Sequence, residues 1–467
     1  MTEPATTEIR QLLDEETLRD WIARQRWFAS KRRSITGLEI VEGVALHDDP
    51  VLYMALVQTR FATGTHELYQ LPLGLVRNGE ECAEGGPQCI AASEDWTVYD
   101  ALADPTEQLE LMRRIDEGLQ IETETGRFSF HVAGEPANLG EGATARSVSA
   151  EQSNSSIVFD QRLVLKVFRK LEPGINPELE MLRFLTKQNF PNIAPLQGWY
   201  EYEGEALAST LGVSQAFLAD SRDGWEMALD LLESDPDALL TRLAALGAVT
   251  AELHDVLASD ASDPAFSPEQ PSQEALSLLT ATVDEDIERI FVNLPDDECL
   301  APIAGRGQDV RERLATRAQI GVGGRAIRIH GDYHLGQTLY RPSGWAIIDF
   351  EGEPARPLPE RRQKRSPLRD VASMLRSFAY VTSAVEILRG RPAPEGFEER
   401  AREAFLGEYL ATVDRALLPA GEAAIANLLS IYELEKAIYE LRYELDNRPD
   451  WVAIPVAGIR RLLEEDA

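Results

Sequence analysis

Apolar and polar positions mark strands along the first half of the chain and repeat with a helical period along the second. Glu15 to Arg26 predicts a helix, and short apolar runs separated by turn signals predict strands at Leu38–Leu46, Val51–Thr59 and Leu68–Val76. A helix laid on a small antiparallel sheet accommodates this section, with Trp27 and Phe28 packed beneath it. A second section opens near Asp95. Pro105 starts a helix over Thr106–Glu117, followed by strands at Arg127–Ala133, Ser147–Glu151, Ile157–Phe159 and Leu163–Phe168. Pro177–Leu185 reads as a helix, and Trp199–Tyr202 with Ala206–Ser209 as a hairpin. Gln215–Leu218 leads into the polar run Ala219–Gly224, which reads as a hinge with backbone groups free for adenine or as a plain linker, and beyond it the chain turns helical. Leu239, Leu243, Leu246, Thr250, Leu253 and Leu257 fall on one helical face, with His254 beside it as a packing residue. A further helix is expected over Gln273–Arg289. Strands return at Ala326–Ile329 and Trp345–Ile348, read as one hairpin joined through the Arg341–Gly344 turn. The class is α+β.

At 467 residues the chain exceeds one ordinary domain, and an apolar fraction of 44% supports a sizeable core. No apolar run is read as long enough to span a membrane, and Met1–Ala5 shows no signal-peptide pattern, so a cytoplasmic protein is expected. The three cysteines, Cys82, Cys89 and Cys299, are sparse, suit a reduced compartment, and match no zinc-site spacing. A net charge of -33 argues against nucleic acid and anionic membranes as partners. It also repels nucleotides at long range, so any nucleotide site must bring local positive charge and Mg²⁺.

The predicted hairpin carries the chemistry. Asp332 in Arg328–Gln337 is followed five residues later by Gln337, and Asp349–Phe350–Glu351 ends the next strand. Protein kinases use the same arithmetic: a catalytic Asp, an amide-bearing metal ligand five residues on, and a metal-binding Asp at the following strand end. Mg²⁺ takes carboxylate and amide oxygens, which Asp349 and Gln337 offer, while Asp332 is placed to receive the proton of an acceptor hydroxyl. Each Asp alone would pass for a turn residue; the joint spacing points to phosphoryl transfer. Upstream, Lys166 lies in the apolar strand and needs a partner if buried. Glu180 on the next helix is the preferred partner, with Glu178 as the rival. The turn Gln152–Ser156, containing Ser153 and Asn154, suits phosphate binding by backbone N–H groups or an ordinary hairpin. Neither a Rossmann nor a Walker signature is present.

Downstream, Glu353–Arg365 is the most basic run in this acidic chain. Asp370 is expected to open a helix, either capping it or bracing the catalytic loop. In Ile431–Pro449, an apolar stripe of Ile431, Leu434, Ile438, Leu441 and Leu445 is opposed by Lys436, Tyr439, Glu440 and Tyr443. That second face suits either a carbohydrate, with rings on sugar faces and charges on hydroxyls, or a solvated surface with ion pairs such as Lys436 with Glu440.

Together these residues resemble the maltokinases, ATP-dependent sugar kinases of the aminoglycoside-phosphotransferase-like group. The resemblance is carried by Arg26–Phe28, Glu151–Asn154, Leu165–Phe168 with Pro173–Pro177, His330–Gln337, Ile348–Pro354, Ser366–Asp370 and Tyr443–Pro449. It implies a bilobal protein-kinase-like fold, with an N-lobe of antiparallel sheet plus helix, a mostly helical C-lobe, and an extra N-terminal α/β cap subdomain. On that basis the cap covers 1–92, the N-lobe 93–214 and the C-lobe 215–467. It further implies phosphorylation of the anomeric hydroxyl of maltose, giving maltose 1-phosphate for glycogen synthesis, with trehalose synthase as a partner to consider. Carried over, Ser153, Asn154, Lys166, Glu180, Gln215 and Phe217 bind ATP, Asp332 is the base, and Gln337 and Asp349 hold Mg²⁺. Asp332, Lys436, Tyr439, Glu440 and Tyr443 contact the sugar. Tyr333 departs from the Leu usual after the catalytic Asp without touching these roles. Two alternatives stand: a kinase of the same family acting on glucosamine or another glucoside, and an inactive kinase-fold binding module.

Overall fold

The computed structural model describes residues 9, 12–48, 51–77, 89–140, 142–148, 154–318 and 323–464. They form two compact units, Met1–Thr186 with Ala194–Ala219, and Lys187–Ile193 with Asp220–Ala467.

In the first unit, Asp14 caps the helix Glu15–Arg24 by accepting the Thr17 N–H at 2.8 Å. A six-stranded sheet follows in the order Ile35–Asp48, Val51–Phe61, His66–Arg77, Trp96–Asp100, Cys89–Ala92, with Lys170–Leu171 pairing on the third strand of that order. The strand Val51–Phe61 is buried on both faces. Its period of two sends Tyr53, Ala55 and Val57 to the Trp21, Trp27 and Phe28 side, and Leu52, Met54 and Leu56 toward Leu111, Phe128 and Tyr200. Trp27 and Phe28 are buried against Tyr69, with ring centroids 5.7 and 5.4 Å away.

A second, seven-stranded antiparallel sheet runs Gln120–Glu122, Gly126–Val132, Leu196–Gly204, Ala208–Ala216, Leu163–Val167, Ser155–Phe159, Ala145–Val148. Polar contacts tie the two sheets together. Gln70, fully buried, donates to the carbonyls of Phe168 (2.8 Å) and Leu211 and accepts from the Tyr200 hydroxyl at 3.1 Å. Arg169 meets Asp100 at 2.7 Å, and Glu42 accepts from Thr123 (2.7 Å), Thr125 and Tyr202 (3.2 Å). The cap sheet therefore continues to Asp100, past the boundary expected at 92, and shares one unit with the lobe sheet. The second unit resumes at Asp220, inside the polar run read as a linker, rather than at 215.

The second unit is helical. Its larger helices are Gly224–Ser234, Pro236–Leu257, Gln273–Val292, Gly307–Ala318, Leu368–Arg389, Phe397–Thr412, Glu422–Asn447 and Ala453–Glu464. Pro236–Leu257 packs so closely on Phe397–Thr412 that a Cβ at Gly247 would lie 2.1 Å from the Phe405 carbonyl oxygen. Leu368–Arg389 is long and apolar enough to cross a membrane by length and composition, contrary to the reading that no run qualifies. Its most apolar window is 61% buried inside the unit, as in a core helix.

The hairpin that follows residue 326 differs from expectation. Its strands are Thr338–Arg341 and Gly344–Ile347, with Arg222–Asp223 as a third strand. Ala326–Ile329 makes only single bridges, Ala326 with Glu269 and Ile327 with Arg365. Residues 330–337 cannot stay extended, because Gly331 takes φ +87° and Leu335–Gln337 forms a short 3₁₀ turn, so pairing restarts only at Thr338.

Glu107, 1% exposed in the helix Pro105–Glu117, accepts from the Tyr99 hydroxyl at 3.3 Å while its other oxygen is buried without a partner. Burial and then the Asp104 charge push its carboxyl from the ordinary 4.5 up to about 8. Between those values the folded chain keeps a proton that the unfolded chain releases, so rising pH lowers stability by up to about 1.4 kcal/mol per pH unit. Thermal unfolding from pH 5 to 8 should show this decline, and Glu107→Gln should flatten it; an equal slope in both proteins would reject the assignment.

Candidate active site

The loop His330–Gln337 is pinned from three sides. Asp370, 1% exposed on Leu368–Arg389, accepts the backbone N–H of His330 at 2.7 Å and of Gly331 at 3.0 Å. Its helix starts at Leu368 without a side-chain cap, so Asp370 braces the loop and does not cap. His254, fully buried, lies 3.3 Å from Asp370 through Nε2 and 3.0 Å from the Tyr409 hydroxyl through Nδ1. Burial pushes the Asp370 carboxyl up, but the His254 hydrogen bond, the neighbouring imidazoles and the Gly331 N–H together hold it below the ordinary aspartate value. From a second side, the Tyr333 hydroxyl meets Thr250 Oγ1 at 2.8 Å. From the third, Ser377 accepts the Leu335 N–H at 3.0 Å.

With its backbone held, Asp332 turns its carboxylate into a cavity. Lys436 Nζ stands 3.3 Å from Oδ1, and His334 Nε2 stands 4.0 Å from Oδ2. Burial pushes Lys436 down, yet Asp332, Glu353 and Glu440 outweigh it and hold the amine above its ordinary value, so it stays cationic. Burial lowers His334, despite the opposing pull of Asp332, and favours its neutral form at neutral pH. Beside them, Gln337 Nε2 donates to Asp349 Oδ2 at 2.9 Å, and Asp349 takes φ +63°, a conformation that non-glycine residues adopt rarely. An amide and a carboxylate in contact form a hard oxygen donor set that fits Mg²⁺.

The cavity measures about 420 Å³, within the range of small-molecule sites. Trp225, Asp332, Lys436, Tyr439, Tyr443 and Trp451 line it. Tyr439 stacks on Tyr443 at 6.5 Å and Tyr380 on Trp451 at 6.2 Å. Its carboxylates are matched by cations. Glu440 Oε2 accepts from Arg376 Nε and Nη2 at 3.0 and 2.6 Å. Glu444 accepts from Arg448 at 2.7 and 2.9 Å and from the Tyr380 hydroxyl at 3.0 Å. Asp332, Lys436, Tyr439, Glu440 and Tyr443, named from the sequence, all line this cavity. The sequence reading missed Trp225, Arg376, Tyr380, Glu444, Arg448 and Trp451. One signal was available: Arg376 falls within an apolar helical pattern, where an arginine requires a buried anion.

In the first unit, Lys166 sits on a strand hydrogen-bonded on both sides, its Nζ 3.0 Å from Glu178 Oε2. The helix carboxylate that meets it is thus Glu178, in place of the preferred Glu180. Glu178 shares the buried face of Pro177–Lys187 with Leu182 and Leu185, whereas Glu180 lies with the exposed Arg183 and Lys187. Gln215 pairs with Val164 and Leu196, and the Phe217 N–H donates to the Arg162 carbonyl at 2.7 Å; both side chains are half-buried. Asn154 precedes the strand Ser155–Phe159, and Ser153 lies outside the described residues.

Residues 21–104 match the maltokinase N-terminal cap domain, and residues 139–352 match the phosphotransferase enzyme family. The glucosamine kinase of Streptacidiphilus jiangxiensis is 27% identical over 335 residues, 68% of this chain and 74% of the relative. That of Mycolicibacterium smegmatis (strain ATCC 700084 / mc(2)155) is 27% identical over 331 residues, covering 68% and 80%. The fold is that of a solved glucosamine kinase in complex with glucosamine, ADP and inorganic phosphate. This structure is 20% identical with a TM-score of 0.69, the match covering 95% of this chain and 98% of that one.

Replacing Asp370 by Ala strips the buried His330 N–H, the half-buried Gly331 N–H and His254 of their acceptor. Chemical denaturation should show a loss of about 3 kcal/mol or more. A loss below about 1 kcal/mol would mean that the loop is held by its other contacts.

Proposed function

The chain joins a maltokinase N-terminal cap domain to a phosphotransferase-family domain, and on that premise we propose that it is an ATP-dependent kinase of the anomeric hydroxyl of maltose. The observation that carries this reading is the Asp332–Lys436 pair in a cavity with stacked tyrosines, whose remaining carboxylates are already taken by arginines. Such a cavity suits a neutral polyol. Rings cover the apolar faces of sugars, and fixed charges receive hydroxyls.

In this reading Lys436 orients the acceptor, and Asp332 takes the hydroxyl proton as the oxygen forms its bond to the γ-phosphorus and ADP leaves. Gln337 and Asp349 would hold Mg²⁺, which supplies charge neutralisation to the phosphates. Lys166, held by Glu178, and Asn154, Gln215 and Phe217 form the expected ATP-binding set, with Ser153 the further residue named from the sequence. The product, maltose 1-phosphate, would serve glycogen synthesis, and trehalose synthase is the partner to test for binding.

A second reading, a glucosamine kinase, is favoured by the names of the relatives. Assays with ATP, Mg²⁺ and a panel of maltose, glucose and glucosamine separate the two. Maltose is expected to be the best acceptor, and turnover of glucosamine without maltose would overturn the proposal. Asp332→Asn should lower kcat about 10²–10⁴-fold; a rate equal to wild type would remove Asp332 from the chemistry. Lys436→Ala should raise KM for the sugar far more than for ATP.

A further inference from the structure

We propose, resting on the acceptor cavity described above, that Arg448 is a specificity-determining residue that excludes amine-bearing sugars by filling a cation site that an ammonium group could take. Glu444 is 1% exposed, and its two oxygens receive Arg448 Nη2, Arg448 Nε and the Tyr380 hydroxyl. The Arg448 guanidinium carbon lies 5.4 Å from the Tyr443 ring centroid and 4.9 Å from that of Trp451. A buried carboxylate, a phenol hydroxyl and two aromatic rings together make a receptor for a cation. The protein occupies that receptor with its own side chain.

The other two carboxylates of the cavity offer no comparable vacancy. Asp332 is matched by Lys436, and Glu440 by Arg376, which is itself only 1% exposed and belongs to the core. Arg448 differs, because 45% of its side chain is exposed and it follows the last turn of Glu422–Asn447. It can be removed without emptying the core. An acceptor carrying –NH₃⁺ meets Lys436 and Arg448 and finds no uncommitted anion among these groups, whereas a neutral sugar needs none.

The test compares kcat/KM for glucosamine with that for maltose in the full-length protein. Arg448→Ala should raise the glucosamine-to-maltose ratio by about tenfold or more, chiefly through a lower KM for glucosamine. Arg448→Lys, which keeps a cation on Glu444, should leave the ratio within about twofold of wild type. Adding Glu444→Gln to Arg448→Ala should abolish the gain. A purely structural role predicts equal losses on both sugars. That unchanged ratio, or a gain that survives Glu444→Gln, would overturn the proposal. The two readings fail separately: maltose turnover by wild type with an unchanged ratio in Arg448→Ala defeats only the Arg448 assignment, whereas wild-type turnover of glucosamine alone defeats the maltose reading as well.

Discussion

One buried carboxylate sets the geometry on which the second unit's chemistry depends. Asp370 accepts two consecutive backbone N–H groups, from His330 and Gly331, immediately before Asp332. A loop carrying a reactive side chain has little regular pairing of its own, and each unpaired buried N–H would cost about 1–3 kcal/mol. Placing the acceptor on a core helix turns that liability into positional control. His254 then holds the carboxylate and the Tyr409 hydroxyl holds His254, so the brace reaches two further helices. Asp332 points into the cavity because its neighbours have no freedom to do otherwise.

A second constraint is electrostatic. The chain carries a net charge of -33, yet the acceptor cavity pairs its carboxylates with cations one by one. Long-range repulsion between the protein and an anionic cosubstrate is screened over about 10 Å at ordinary salt, so local arrangement decides. Lys436 illustrates the balance: burial works against its charge, and the surrounding carboxylates outweigh burial. Matching buried charges in place is also what makes their burial tolerable.

Much of this was legible in the sequence, and the failures have physical causes. The long strands and the helix Pro236–Leu257 follow from periodicity, because each presents a full face to a core. Spacing was enough to put Gln337 against Asp349, since the short hairpin between them fixes the distance. The hairpin's first strand was misassigned because Ala326–Ile329 is as apolar as a strand, and only the conformation at Gly331 shows that it cannot continue. Glu178 and Glu180 differ by two residues, which on a helix is a change of face; deciding between them required knowing which face Leu182 and Leu185 bury. Arg448 and Trp451 were invisible as site residues because they reach the cavity from beyond the helix end, where no periodic pattern applies.

The same limit governs the cap. The resemblance implied a boundary at 92, but strand pairing runs past it. Trp96–Asp100 completes the cap sheet, Lys170–Leu171 returns to its His66–Arg77 strand, and Arg169 between these reaches back to Asp100. Gln70 adds a buried side chain whose partners all lie on the lobe sheet or its flanking segment. Separating the two sheets would strand those groups without water, and the cost of several unpaired buried polar atoms approaches the whole stability of a small domain, about 5–15 kcal/mol. The cap and the lobe sheet therefore act as one folding unit, and Lys166 is carried on a body that includes the cap.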